Sequence, residues 1–211
     1  MMKGLILKKI FEKFEYEKIK FVVLRNHEEI PERLSLDNDL DLLIEHKNIS
    51  SIKKILLRNN FKHKRKLLDT DTYLYKSKPH IHFYDYKNKI HLDIVNNLSY
   101  RSPNNNEWIS VHEKIQKSLW KNLIKTNELW LYKPSNKDLL LHIICHCIFD
   151  KKNINYKYQA KIKYLFRNCD MVEVKNLLGL VFFKFTDKLI SMINNNNIEE
   201  IVKEYFAFSD Y

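Results

Sequence analysis

Residues 37–44 read Asp37-Asn38-Asp39-Leu40-Asp41-Leu42-Leu43-Ile44, and residues 90–95 read Ile90-His91-Leu92-Asp93-Ile94-Val95. Side chains alternate along a strand, so Asp39 and Asp41 point to one face while Leu40 and Leu42 point to the other. Two carboxylates on one face repel each other unless a cation lies between them. Magnesium suits such a pair, because it takes one or two carboxylates together with phosphate oxygens and retained waters. Two ions ~3.5–4 Å apart grip both the attacking and the leaving oxygen of an in-line phosphoryl displacement. In the second stretch a single acid, Asp93, interrupts an apolar strand pattern. On a neighbouring strand it would face the Asp39/Asp41 pair, either to complete a second metal site or to accept the proton of an incoming hydroxyl. A D-x-D pair standing alone is more often a solvated strand end. What singles this one out is the order of elements around it.

Upstream, residues 5–18 (LILKKIFEKFEYEK) place Leu5, Ile6, Ile10, Phe11 and Phe14 at helical spacing. FVVLR at 21–25 is a short apolar, β-branched run that reads as a buried strand. The polar stretch 26–38 reads as a loop or short helix, and 39–45 returns to strand character. Residues 48–60 predict a helix capped by Asn48 or Ser50, with Ile52, Ile55 and Leu56 on one face. Strands are expected at 72–76, 80–85 and 89–95, the last two joined by a hairpin-like YKNK.

After SYRSPNNNEW at 99–108 the pattern becomes helical. Residues 111–123, 136–149, 157–168, 173–192 and 198–207 each show a helical period, and Pro134-Ser135 reads as a helix entrance with Ser135 or Asn136 as cap. The expected fold class is α+β. A small mixed β-sheet core backed by helices occupies 1–105, and an all-helical region at 106–211 completes the substrate cleft. Gly4 and Gly179 are the only glycines, which excludes phosphate cradles built on glycine loops.

Three segments together, Val22-Val23-Leu24-Arg25-Asn26-His27-Glu28-Glu29-Ile30-Pro31, Asp37 to Leu43, and His91 to Val95, resemble the polymerase-beta-like nucleotidyltransferase superfamily. More narrowly they resemble a branch found with bacterial polysaccharide gene clusters. The resemblance covers residues 20–100 and extends more loosely into 133–142. It implies transfer of a nucleoside monophosphate from a nucleoside triphosphate, such as ATP or CTP, to an acceptor, with release of pyrophosphate. It also implies Mg2+ or Mn2+ held by Asp39, Asp41 and Asp93, with these acids as the catalytic residues. The acceptor favoured by the branch is a sugar phosphate, phosphonate or other glycan precursor. Most superfamily members carry a Gly-Ser or Gly-Gly pair after the first strand to contact the triphosphate. Here that place holds Arg25-Asn26. Arg25 can make a bidentate phosphate contact and Asn26 can donate from its amide. The same change also fits a different donor geometry or a lost activity. Arg101, directly after the Asp93 strand and Tyr100, and Lys151 at a helix end complete the candidate nucleotide contacts.

Composition bounds the alternatives. At 45% hydrophobic the chain can bury a sizeable core, so disorder is excluded. Three cysteines give no disulfide framework, and the first residues lack the h-region of a signal peptide, so a reducing cytoplasm is expected. A net charge of +11 suits phosphate-rich partners, yet NNNN at 194–197 and the abundance of Lys and Ile fit simple compositional bias. KHKRK at 62–66 reads as a solvated turn. His142, Cys145, His146 and Cys147 invite a zinc reading, but the cysteines fall on different faces of a helix and no second ligand cluster follows. His80, His82 and His91 lie on strands beside the acids, either touching nucleotide or filling a sheet face. The alternatives to a small-molecule enzyme are a catalytically silent module binding RNA or a protein, a toxin-like enzyme modifying tRNA or protein, and a phosphotransferase releasing a nucleoside diphosphate.

Overall fold

The structure, a computed structural model, describes residues 2–63, 80–103, 107–126 and 130–209. They form two compact units, one of Met1–Leu98 with Leu123–Lys133 and one of Ser99–Asn122 with Pro134–Tyr211. The α+β class expected from the sequence is the one observed. Among the described residues no helix is long and apolar enough to cross a membrane. The strand expected at 72–76, and residues 64–66 of the basic run, lie outside the described residues.

In the first unit, strands β1 (Phe21–Val23), β2 (Leu40–Ile44), β3 (Lys62–His63), β4 (His80–Asp85) and β5 (Ile90–Val95) form one sheet in the order β1-β2-β5-β4-β3. The β2–β5 pair is parallel and the other pairs are antiparallel. Parallel neighbours need a crossover connection, and α2 (Ile49–Arg58) lies within it. Alternation sends Phe21, Val23, Leu40, Leu42, Ile44, Phe83, Ile90, Leu92 and Ile94 into one core with Leu7, Ile10, Phe11 and Phe14 of α1 (Met2–Tyr16) and Ile52, Ile55 and Leu56 of α2. The opposite alternation leaves Asp41, Asp93, His91, His80, His82 and Tyr84 on the other face. Asn48 makes no side-chain cap on α2, because a 3-10 turn at His46–Asn48 runs into the helix in αR conformation.

Phe21 is fully buried and ties this core together. Its ring stacks on Phe11 at 5.0 Å and meets Phe14 and Tyr132 edge-on at 5.3 and 5.5 Å. Tyr132 comes from the short hairpin β8 (Ile124–Lys125) and β9 (Tyr132–Lys133). Its hydroxyl donates to Glu15 at 2.8 Å, and the Lys125 ammonium donates to the same oxygen at 2.6 Å. Those contacts attach residues 123–133 to the first unit.

In the second unit, β6 (Ser99–Arg101) and β7 (Trp108–Ser110) pair ahead of α3 (Glu113–Lys121). Every residue of α4 (Asn136–Cys145) from Asp138 onward is buried, which is why this run has no polar face. Ser135 is its cap: the hydroxyl accepts from the Asp138 amide at 3.4 Å and donates to the Asp138 carboxylate at 2.6 Å. Asn155 and Asp170 cap α5 (Tyr156–Arg167) and α6 (Met171–Phe182), their side chains accepting from the Tyr158 and Glu173 amides. The single helix expected at 173–192 is two. The chain breaks at Phe183 (φ 46°, ψ −124°), passes through a 3-10 turn, and restarts as α7 (Thr186–Asn194) before α8 (Ile201–Ala207). Around the break Phe182 and Phe185 both lie in the core against Tyr205, at 5.7 and 5.3 Å, while Phe183 stays in solvent.

Two substitutions test this packing. Phe21→Ala should lower unfolding stability by about 3–5 kcal/mol in urea titration, as expected for emptying a buried aromatic site. Gly179 lies within α6, has no positive φ, and a Cβ built there meets nothing within 4 Å. Gly179→Ala should therefore raise stability by about 0.5–1 kcal/mol through helix propensity and a less flexible unfolded chain.

Candidate active site

The site begins with register. In the parallel β2–β5 pair Asp41 stands beside Asp93, and Leu40 beside Leu92. Asp39 lies one pleat before Asp41, on the same face. One oxygen from each of Asp39, Asp41 and Asp93 lies within 4.8 Å of the others, and among the described residues this is the one group of three or more His, Cys, Asp or Glu with such spacing. Asp93 is buried, and its Oδ1 has no hydrogen-bond partner among the described residues. A buried, unpartnered carboxylate oxygen is costly unless something binds it. The Asp39 carboxyl is pushed up to about 6, first by burial and then by the neighbouring charges of Asp41 and Asp93, with Arg25 opposing. Three hard oxygen donors with an uncompensated charge fit a divalent cation of the magnesium or manganese type.

Arg25 stands directly against this cluster. Its Nε donates to Asp41 Oδ2 at 2.6 Å and its Nη2 to Asp41 Oδ1 at 3.1 Å. The backbone holds the two side by side, since the Leu24 amide donates to the Asp41 carbonyl at 3.0 Å. Asn26 follows in left-handed conformation (φ 56°, ψ 22°) and leads into a 3-10 turn at His27–Glu29. Among residues with a Cβ, Asn tolerates this region best, so it keeps the backbone shape that glycine would otherwise supply. Asn26 Oδ1 is buried without a hydrogen-bond partner among the described residues.

Strand β4 adds imidazoles whose place beside the acids the sequence leaves open. Its register sets His82 opposite Asp93, with His80 two residues along. His80 Nδ1 shares a 2.8 Å hydrogen bond with Asp93 Oδ2. His82 Nδ1 lies 3.8 Å from Asp93 Oδ1 and 3.0 Å from His91 Nε2. Burial lowers the pKa of His82 and of His91, outweighing the pull of Asp93 in the other direction. The signal available beforehand was the alternation of His80 and His82. The partner acid depended on the β4–β5 register.

Arg101 and Lys151 belong to the second unit. The Arg101 guanidinium lies over the Trp108 ring at 5.2 Å, and its amide donates to Asp150 at 3.1 Å. Lys151 is exposed at the end of a π-helical turn, His146–Lys151, that continues α4. The histidines of this helix are engaged with protein groups: His142 Nδ1 with the Tyr100 hydroxyl at 2.7 Å, His146 Nδ1 with Asp150 at 3.0 Å. Cys145 is buried, and burial holds its thiol well above the usual range.

A family model described as "Uncharacterised nucleotidyltransferase" matches residues 3–178. The chain belongs to this family. The membership makes it a nucleotidyltransferase by kinship and covers all three clustered acids and Arg25. A fold comparison agrees: the solution structure of the antibiotic-resistance factor ANT(2'')-Ia is similar over 93% of this chain and 97% of that one, with a TM-score of 0.52. At 8% identity that likeness speaks for the shared fold alone. No curated protein matches the sequence.

The electrostatics of the acids give a pH-dependent expectation. Asp39 ionises less readily folded than unfolded, so its charge opposes folding fully above about pH 6, and that opposition fades as pH falls from about 6 toward the ordinary carboxylate range. Asp39→Asn should raise the melting temperature of the metal-free protein in EDTA at pH 8, with a gain that shrinks steadily as the pH is lowered toward 4. A pH-independent gain, or a loss at pH 8, would contradict this electrostatic account.

Proposed function

We propose that this nucleotidyltransferase transfers a nucleoside monophosphate from a nucleoside triphosphate to a hydroxyl, phosphate or phosphonate acceptor on a sugar or related glycan precursor. The observation that carries the reading is the convergence of Asp39, Asp41 and Asp93 within 4.8 Å, on a fold shared with the family. In the proposed reaction an acceptor oxygen bonds to the α-phosphorus, the bond from that phosphorus to the bridging oxygen breaks, and pyrophosphate leaves with the electron pair. Asp39, Asp41 and Asp93 would hold Mg2+ or Mn2+, two ions in the full assembly. When bound, the metal supplies charge neutralisation for the phosphates and polarises the reacting phosphoryl group.

The chain's own groups do the rest. Asp93 Oδ1, buried and without a partner among the described residues, is the atom that would bind the ion or take the proton of an acceptor hydroxyl. His80, bonded to Oδ2, keeps that carboxylate from rotating. Arg25 carries the fork that fits a phosphate, in the position where the superfamily's small pair would stand. Asn26 keeps the turn tight enough for main-chain amides to reach the same phosphates.

One observation favours a second reading. Arg25 already holds both Asp41 oxygens, as a salt bridge in a catalytically silent module would. Such a module, with a net charge of +11, would bind RNA with steep salt dependence and consume no nucleotide.

A pyrophosphate-release screen separates the two. It pairs each of the four common nucleoside triphosphates with pools of sugar phosphates, phosphonates and total tRNA, in magnesium or manganese. Release should depend on one nucleotide and one small-molecule pool, and fall roughly a thousandfold in Asp41→Asn and Asp93→Asn, the scale of a lost metal ligand worth several kcal/mol. Dependence on tRNA would move the acceptor to RNA. Silence throughout, with salt-sensitive RNA binding, would favour the module.

A further inference from the structure

The Arg25–Asp41 pair is both bidentate and shielded, with the two side chains 15% and 14% exposed. Each carboxylate oxygen already accepts one hydrogen bond from the guanidinium. An ion shared by Asp39 and Asp41 would therefore have to enter against a fixed positive charge at contact distance. Arginine cannot relieve that conflict by losing its proton, so relief requires movement. The backbone allows it. Arg25 lies beyond the last paired residue of β1, on the segment that turns at Asn26. The Leu24 amide keeps its bond to the Asp41 carbonyl whatever the Arg25 side chain does.

We infer that Arg25 selects the metal complex of the nucleotide over the free metal, by occupying the cation position beside Asp41 until phosphates arrive and draw it away. The inference rests on the nucleotidyltransferase reading above. The guanidinium fork matches a carboxylate and a phosphate equally well, so the exchange trades one bidentate partner for another of higher charge. The incoming complex brings its own cation to Asp41 at the moment Arg25 leaves, so Asp41 keeps a cationic partner throughout. By linkage, metal and nucleotide then strengthen each other's binding by the same factor. Removing the Arg25 charge should raise affinity for the ion alone and lower the affinity of the metal-loaded protein for the nucleotide, and each change shrinks that factor.

The test is Mn2+ binding to the full chain by loss of the free-ion paramagnetic resonance signal, with and without α,β-methylene analogues of the four common nucleoside triphosphates. Wild type is compared with Arg25→Gln, Arg25→Lys and Asp39→Asn, each checked for cooperative unfolding. Arg25→Gln should bind Mn2+ alone about tenfold more tightly than wild type and lose about tenfold of the nucleotide-induced gain, within the usual span of coupling factors. Arg25→Lys, a point charge without the fork, should fall between, and it carries the test if the glutamine variant does not fold. Unchanged or weaker binding of Mn2+ alone in both variants would overturn the inference. If Asp39→Asn still abolished the Mn2+ site, the proposed function would survive that result. A wild type that bound no Mn2+ with any analogue would overturn both.

Discussion

Everything at this site depends on one register: the parallel pairing of β2 with β5 that sets Asp41 beside Asp93. Like charges on neighbouring strands oppose the pairing that brings them together. The opposition is met on the other face of the same strands. There Leu40, Leu42, Leu92 and Ile94 are almost completely buried, and a shift of one residue would turn Asp41, His91 and Asp93 into the core and these side chains out of it. The hydrophobic core thus locks the acids at a separation that an unconstrained chain would avoid. The raised Asp39 pKa and the unpartnered Asp93 oxygen are what remains of that conflict.

The neighbours of the acids are arranged to contain it. Arg25 takes Asp41, His80 takes one oxygen of Asp93, and Asp39 is left with the least compensation. The polar face is therefore a graded set of carboxylates with unequal calls on an incoming cation. Asn26 shows how the Arg25-Asn26 pair is accommodated where a glycine pair would be expected: the left-handed turn is kept, and a cationic side chain is gained beside it.

Much of this was legible in the sequence, because strand alternation is a strict code. DNDLDLLI and IHLDIV each declared which side chains share a face, and the helical periods placed α1, α2 and α4 closely. Four things were not legible, each for a physical reason. The partner of Arg25 depended on how the chain turns after Val23, so an arginine expected to meet phosphate is found on Asp41. The His80–Asp93 bond depended on cross-strand register, which alternation within one strand does not specify. The break at Phe183 lay inside an unbroken apolar helical pattern, since Phe182 and Phe185 fit the period whether or not the helix continues. The two-residue strands β8 and β9 are too short to carry a period at all.

The most direct measurement is a crystal structure grown with Mn2+ and a non-hydrolysable nucleoside triphosphate, read at the manganese absorption edge. The account predicts anomalous density between Asp39, Asp41 and Asp93, with the triphosphate alongside and Arg25 turned from Asp41 to phosphate. Manganese and nucleotide bound elsewhere, with Arg25 still paired to Asp41 and the three acids holding no ion, would contradict it.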